Sequence, residues 1–181
     1  LIDKEYLTTL IIESILEKCI IHYSYISLYI ELINYLYSDN ENISSIIYSI
    51  TNKIFNNINE SQIIEVSDYL IMCEKNKKLD KLIGHSILVT ELEKQKILTG
   101  KIHPILDNFI QVLSECKEDD EKYKCVQCLY NIFKSYYENS KSLHSLGFNA
   151  SIFEIFTCDL EVQSPLGIFV ANELRPVTET F

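Results

Sequence analysis

Three features of the 181-residue sequence predict an all-α fold. Only four glycines and three prolines punctuate it, too few for the many turns of a β-sandwich or a doubly wound sheet. Apolar residues recur at three- and four-residue steps along most of its length, as half-buried helices require. The polar stretches between these runs are short, so successive helices pair off as stacked hairpins of the α-solenoid kind. With 47% hydrophobic and 23% charged residues, the chain can bury one real core, and residues 1–181 read as a single domain.

The spacing places a first helix near 4–20, with Ile11, Ile12, Ile15 and Cys19 inward and Glu13, Glu17 and Lys18 on the polar side. A second follows near 24–37 and a third near 43–58, separated by the polar turn "YSDNENIS". Helices near 62–73 and 77–98 come next. Leu88 and Leu92 lead into a hairpin whose second helix, near 102–115, carries Ile102, Ile105, Leu106, Phe109, Val112 and Leu113. Gly100 suits the helix end between them, where a positive φ is cheap without a Cβ. Pro104 fits the first turn of the second helix, where amides are unpaired in any case. The short loop makes the two helices antiparallel. A seventh helix is expected near 119–138, after "SECKEDDEKY", and a weaker pair near 150–157 and 165–174. Only Ala150 and Ala171 represent the best helix former, so packing of apolar faces has to supply what propensity does not.

Composition excludes several classes. No run reaches the roughly 18 apolar residues of a membrane span, because Glu13, Glu17, Lys18, His22 and Glu31 interrupt the most apolar stretch. No basic region and cleavage site open the chain. No membrane partner and a cytoplasmic location are therefore expected. The cysteines Cys19, Cys73, Cys116, Cys125, Cys128 and Cys158 fall mostly in apolar helical stretches, where thiols behave as small hydrophobes. The excess of Ile, Asn, Lys and Tyr reads as codon bias of an AT-rich genome, such as that of a protist or a large DNA virus.

Catalytic and metal motifs are weak. Cys125 and Cys128 form a CxxC in mid-helix with no second Cys or His pair at zinc spacing, so both are assigned to packing. His22, His85, His103 and His144 lie scattered, without a nucleophile at motif spacing. Gly84, Gly100, Gly147 and Gly167 stand alone, which leaves no phosphate-cradling loop. The acidic run Glu118 to Glu121 fits a first helical turn, where negative charge is favoured. No enzyme activity, metal or cofactor is expected.

Charge is more telling. A formal net charge of −10 repels polyanions. Yet Lys75, Lys77, Lys78, Lys81, Lys94, Lys96 and Lys101 face only Asp80, Glu91 and Glu93 in their stretch, a local balance of +4 against −14 elsewhere. Either a solvated helix face or a weak RNA-binding edge, carried by Lys75, Lys77, Lys78, Lys94, Lys96 and Lys101, accounts for this.

The stretch "IGHSILVTELEKQKILT" (Ile83 to Thr99) resembles the signature helix of the middle domain of eukaryotic translation initiation factor 4 gamma. Gly84, Glu91, Leu92, Lys94, Lys96, Leu98 and Thr99 fall in place, and "IHPILDNFIQVL" after it is similar too. "SILEKCIIHYSYISLYIELINYL" resembles the family's opening hairpin, with Tyr25 and Tyr29 four apart; "ISSIIYSITNKIFNNI" resembles its third helix, and "EKYKCVQCLYNIF" its seventh. The chain departs from the pattern at Thr90, where the family usually has a second glycine, and in a linker shortened to Asn59 to Lys78. Pro165 and Gly167 stand in place of arginines in the similar last helix.

The resemblance implies a HEAT-type α-solenoid of about five stacked antiparallel helix pairs, acting as a translation-initiation scaffold. Its partner would be the DEAD-box RNA helicase of initiation, gripped at both lobes so that the lobe arrangement turning over ATP is more populated. Expected helicase contacts are Glu13, Glu17 and Lys18 at one end and Asn172, Glu173 and Arg175 at the other. A cap-binding protein would join through flanking sequence. An RNA-binding platform is the alternative, as are same-fold scaffolds in mRNA decay, deadenylation, splicing or nuclear cap binding.

Overall fold

The computed structural model describes residues 4–37, 40–60, 67–98, 101–117 and 119–140. Among these residues the secondary structure is entirely helical: α1 (Lys4–Ile21), a 3-10 turn (Tyr23–Tyr25), α2 (Ile26–Tyr37), α3 (Ile43–Glu60), α4 (Asp68–Lys94), α5 (Ile102–Glu115) and α6 (Asp119–Ser140). The all-α expectation is met. The weaker helix pair expected near 150–157 and 165–174 lies outside the described residues.

Two compact units divide the chain, Leu1–Lys101 and Ile102–Phe181. In the first, α1 packs on α2, α3 and α4, while α4 also packs on α2 and α3. Sequence-distant α1 and α4 form the most extensive of these contacts. Each helix contributes a stripe at helical spacing: Ile12, Leu16 and Cys19 from α1, Ile26, Ile30 and Ile33 from α2, Ile47, Ile50 and Ile54 from α3, Leu82, Val89 and Leu92 from α4. Burying each aliphatic side chain contributes about 1.5–3 kcal/mol, enough to hold helices whose intrinsic propensity is modest.

A buried polar link ties α3 to α4. His85 of α4 is fully buried, and its Nε2 lies 3.0 Å from the Thr51 carbonyl oxygen of α3. A carbonyl only accepts, so Nε2 carries the proton. The ring packs at a tilt on Phe55, 5.4 Å between centroids, and burial pushes its pKa down to about 4. The Thr51 hydroxyl donates to the Ile47 carbonyl at 2.7 Å, so this buried hydroxyl is satisfied within α3.

The structure replaces the two helices expected at 62–73 and 77–98 with one 27-residue helix, about 40 Å long. The polar stretch Glu74–Lys78 is helix surface, not a connection. It contains no glycine or proline to break the helix. Lys77 pairs with Glu74 at 2.6 Å, and Lys78 Nζ reaches the Asn59 carbonyl at 3.2 Å. Ser67 starts α4 as N-cap, its Oγ accepting from the Leu70 amide at 3.4 Å, and Asp68 follows in the first turn.

The end of α4 also differs from expectation. The helix stops at Lys94, four residues short of the expected position, because Lys96 adopts φ 60°. The Lys96 amide donates to the Glu93 carbonyl at 2.8 Å and the Ile97 amide to the Leu92 carbonyl at 2.9 Å, a Schellman closure with lysine where glycine is usual. Buried Leu98 follows it. Thr99 and Gly100 lie outside the described residues.

In the second unit α5 packs on α6. Helix α5 spans the expected residues, and Pro104 occupies its first turn, where it displaces no helical hydrogen bond. Ile105, Leu106, Phe109 and Leu113 are buried on α5, and Cys125, Val126, Cys128, Leu129 and Ile132 on α6. Helix α6 begins at Asp119, which puts Asp119 to Glu121 in its first turn.

Candidate protein-docking surface

Helix α1 is apolar on two sides. Thr8, Ile12, Leu16, Cys19 and Ile20 form the buried stripe. A second stripe, Leu7, Leu10, Ile11, Ser14, Ile15 and Lys18, follows the same three- and four-residue steps about a third of a turn away. Leu7, Leu10 and Ile11 are exposed by 48%, 41% and 38%. Tyr25 at the end of the 3-10 turn and Leu32 and Leu36 on α2 are exposed along a stripe that includes half-buried Tyr29. Leu10, Ile11, Ser14, Ile15, Lys18 and Tyr29 line an open groove of about 410 Å³.

This placement corrects the expected inner face of α1. Ile12 and Cys19 are inward, but Ile11 is exposed and Ile15 only half-buried. The apolar run Leu10 to Ile12 is wider than one helical face can bury, and that breadth is the signal in the sequence for a surface patch. Within the first unit, the exposed large apolar side chains of the described residues lie between Tyr6 and Leu36 and between Tyr69 and Met72. The apolar exposure of this unit therefore falls in two segments.

An acidic flank borders this stripe. Glu13 pairs with Lys53 of α3 at 2.6 Å and keeps only 16% of its side chain exposed, so it also ties α1 to α3. The hydrogen bond from Lys53 to Glu13 holds the lysine above its ordinary pKa, and the charge of Glu17 adds to this. Glu17 and Lys18 are exposed, Lys18 at the groove itself. Glu13 and Glu17 thus share the side of α1 that meets Lys53, while Lys18 lies on the groove side. Asn172, Glu173 and Arg175 lie outside the described residues.

The lysines of the expected RNA edge separate into two groups. Lys75, Lys77 and Lys78 sit in the first half of α4, while Lys94 ends it, about 25 Å along the axis from Lys77. Several have local partners: Lys77 with Glu74, Lys78 with the Asn59 carbonyl, and Lys94 with Glu91 at 3.9 Å. Lys101 Nζ donates to Ser45 Oγ at 3.0 Å and lies 5.4 Å from the Tyr48 ring centre. Lys96 carries the strained helix end described above. These lysines do not form one continuous strip.

Nucleophile chemistry is scarce in the first unit. Cys19 is buried, and burial pushes its thiol up to about 12, so it packs as a neutral group. His22 and His103 are exposed, and His144 is outside the described residues. No group of three His, Cys, Asp or Glu among the described residues is placed to hold a metal ion. No described helix is long and apolar enough to cross a membrane. What the surface offers is an apolar groove with an acidic flank, suited to hold another macromolecule. Compared with known protein families, characterised proteins and solved structures, the chain matches none.

Proposed function

We propose that this protein is a non-enzymatic helical scaffold that docks a DEAD-box RNA helicase of translation initiation on the α1–α2 face. The observation that carries the docking surface is the exposed groove between Leu10, Ile11, Ile15 and Tyr29, with Glu13 and Glu17 alongside. An apolar centre with a charged margin has the composition of a protein interface. The choice of partner rests on the resemblance carried by Gly84, Glu91, Leu92, Lys94 and Leu98, and the acidic flank complements the basic surface of an RNA-binding enzyme. In this reading the helices belong to a HEAT-type solenoid, the location is cytoplasmic, and the terminal residues Asn172, Glu173 and Arg175 supply a second contact. Cap-binding protein would be recruited through flanking sequence.

Binding of the full chain to a purified initiation helicase, with stimulation of its ATPase, tests the proposal. Leu10→Ser with Ile11→Ser removes the groove walls at exposed positions, and circular dichroism confirms that the variant remains helical. At least a tenfold loss of helicase affinity is expected, about 1.4 kcal/mol. Wild-type protein that neither binds nor stimulates the helicase rules out this partner. Equal binding by wild type and variant rules out the groove as its site.

A further inference from the structure

The α5–α6 turn brings two thiols together that the scaffold function does not use. Cys116 follows the last residue of α5, and Cys125 lies in the second turn of α6. Their Sγ atoms are 3.5 Å apart. Cys116 Sγ also donates to the Val112 carbonyl at 3.2 Å, so its one proton is directed there and Cys125 is the donor between the sulfurs. Cys116 is partly exposed, whereas Cys125 and Cys128 are each 1% exposed. Of the three residues, Cys116 is the one with surface that a dissolved oxidant can approach.

We propose that Cys116 and Cys125 are an oxidation site, at which hydrogen peroxide converts the thiol pair into a disulfide that clips α5 to α6. The Cys116 thiolate attacks a peroxide oxygen and breaks the O–O bond, giving Cys116 sulfenic acid and one water after proton uptake. The Cys125 sulfur then attacks the Cys116 sulfur. The S–O bond breaks, the hydroxide leaves with the Cys125 proton as a second water, and the S–S bond forms. Two thiols have together lost two electrons and two protons to one peroxide.

The order of events follows from the surroundings of the two sulfurs. The hydrogen bond to Cys116, and then burial, hold the Cys125 thiol far above its ordinary pKa. It remains protonated and shielded until a sulfenic acid forms beside it. Cys116 lies just beyond the last residue of α5, its amide shared between the Val112 and Leu113 carbonyls at 3.2 Å, so closing the gap to bonding distance needs movement mainly at this frayed helix end. Buried Cys128 has no comparable access to oxidant.

Peroxide treatment of the purified full chain, followed by non-reducing tryptic mapping, tests this. Trypsin cuts after Lys117 and Lys124, placing Cys116 and Cys125 on separate peptides. Expected is a linked pair lighter by two hydrogens than the two thiol peptides, formed in wild type and in Cys128→Ser, absent in Cys116→Ser, and released by dithiothreitol. The oxidised protein should also melt at a higher temperature, since the crosslink restricts the unfolded chain. A Cys125–Cys128 link, an intermolecular link, Cys116 carried on to sulfinic acid, or no reaction would each overturn the proposal. Because wild type and Cys128→Ser suffice for the mapping, misfolding of Cys116→Ser would leave the test intact.

Discussion

Gly84 of α4 meets the backbone of Ile20 at the end of α1 so closely that a Cβ on Gly84 would lie 2.8 Å from the Ile20 carbonyl carbon and 3.0 Å from its Cα. The obstruction is backbone, which cannot rotate away as a side chain can. Two helices far apart in sequence can therefore meet in this way only because position 84 carries no side chain.

Gly84→Ala should consequently destabilise the first unit although alanine is the better helix former. The helix-propensity gain is about 1 kcal/mol, and forced separation of α1 from α4 costs about 1–3 kcal/mol in overpacking plus lost contacts around Ile20 and Leu88. A lower urea midpoint with unchanged helical content is expected. A midpoint equal to or above wild type would mean that α1 and α4 do not approach at this residue.

Lys96 gives the opposite sign. Its φ of 60° is costly for a residue with a Cβ, and the Schellman hydrogen bonds around it involve only backbone. Lys96→Gly should raise stability by about 0.5–1 kcal/mol, the left-handed penalty less the extra chain entropy of glycine. Thermal melts of the two proteins check this, and a lower melting temperature for the glycine variant would mean that the lysine side chain contributes more than its backbone costs.

His85 sets a pH dependence. Its pKa is about 4 in the folded protein, against an ordinary 6.5. Between these values the unfolded chain binds the proton and the folded one does not, so stability rises with pH. The contribution is fully present above pH 6.5 and is lost as pH falls through 4, up to about 3 kcal/mol in all. Urea midpoints measured from pH 7 to pH 4.5 should fall more steeply for wild type than for His85→Asn, and parallel slopes would show that the ring is solvated in the native state.

Much of this fold was legible because helix punctuation is local. The bounds of α5 follow from Pro104 and from Ile105, Leu106 and Phe109 on one face, and the start of α3 follows the polar turn before Ile43. Glu74 to Lys78 misled because a polar turn of a long helix and a polar loop share the same composition; only the hydrogen bond from Lys78 to Asn59 and the Glu74–Lys77 pair distinguish them. The groove was less legible still. Ile11 and Ile12 are equally apolar, and which of them faces the core depends on where α3 and α4 lie, information that adjacent residues do not hold. Gly84 shows the same limit: its place in a familiar pattern was visible, but the contact with Ile20 that demands glycine was not.

Glu13 and Glu17 separate folding from binding. Both read from sequence as exposed charges, but the Glu13 carboxylate is mostly covered and pairs with Lys53, whereas Glu17 is exposed. Glu13→Lys would set two ammonium groups side by side between α1 and α3 and should lower the urea midpoint; adding Lys53→Glu restores opposite charges and should recover much of the loss. Glu17→Lys should leave the midpoint close to wild type, since an exposed charge gains little from its neighbours. Loss of helicase affinity in Glu17→Lys therefore reports on docking, while the same loss in Glu13→Lys mixes docking with fold. A Glu17→Lys protein of normal stability that binds helicase as wild type does, in low and in physiological salt, would exclude the acidic flank of α1 from the interface and leave the apolar groove to carry it alone.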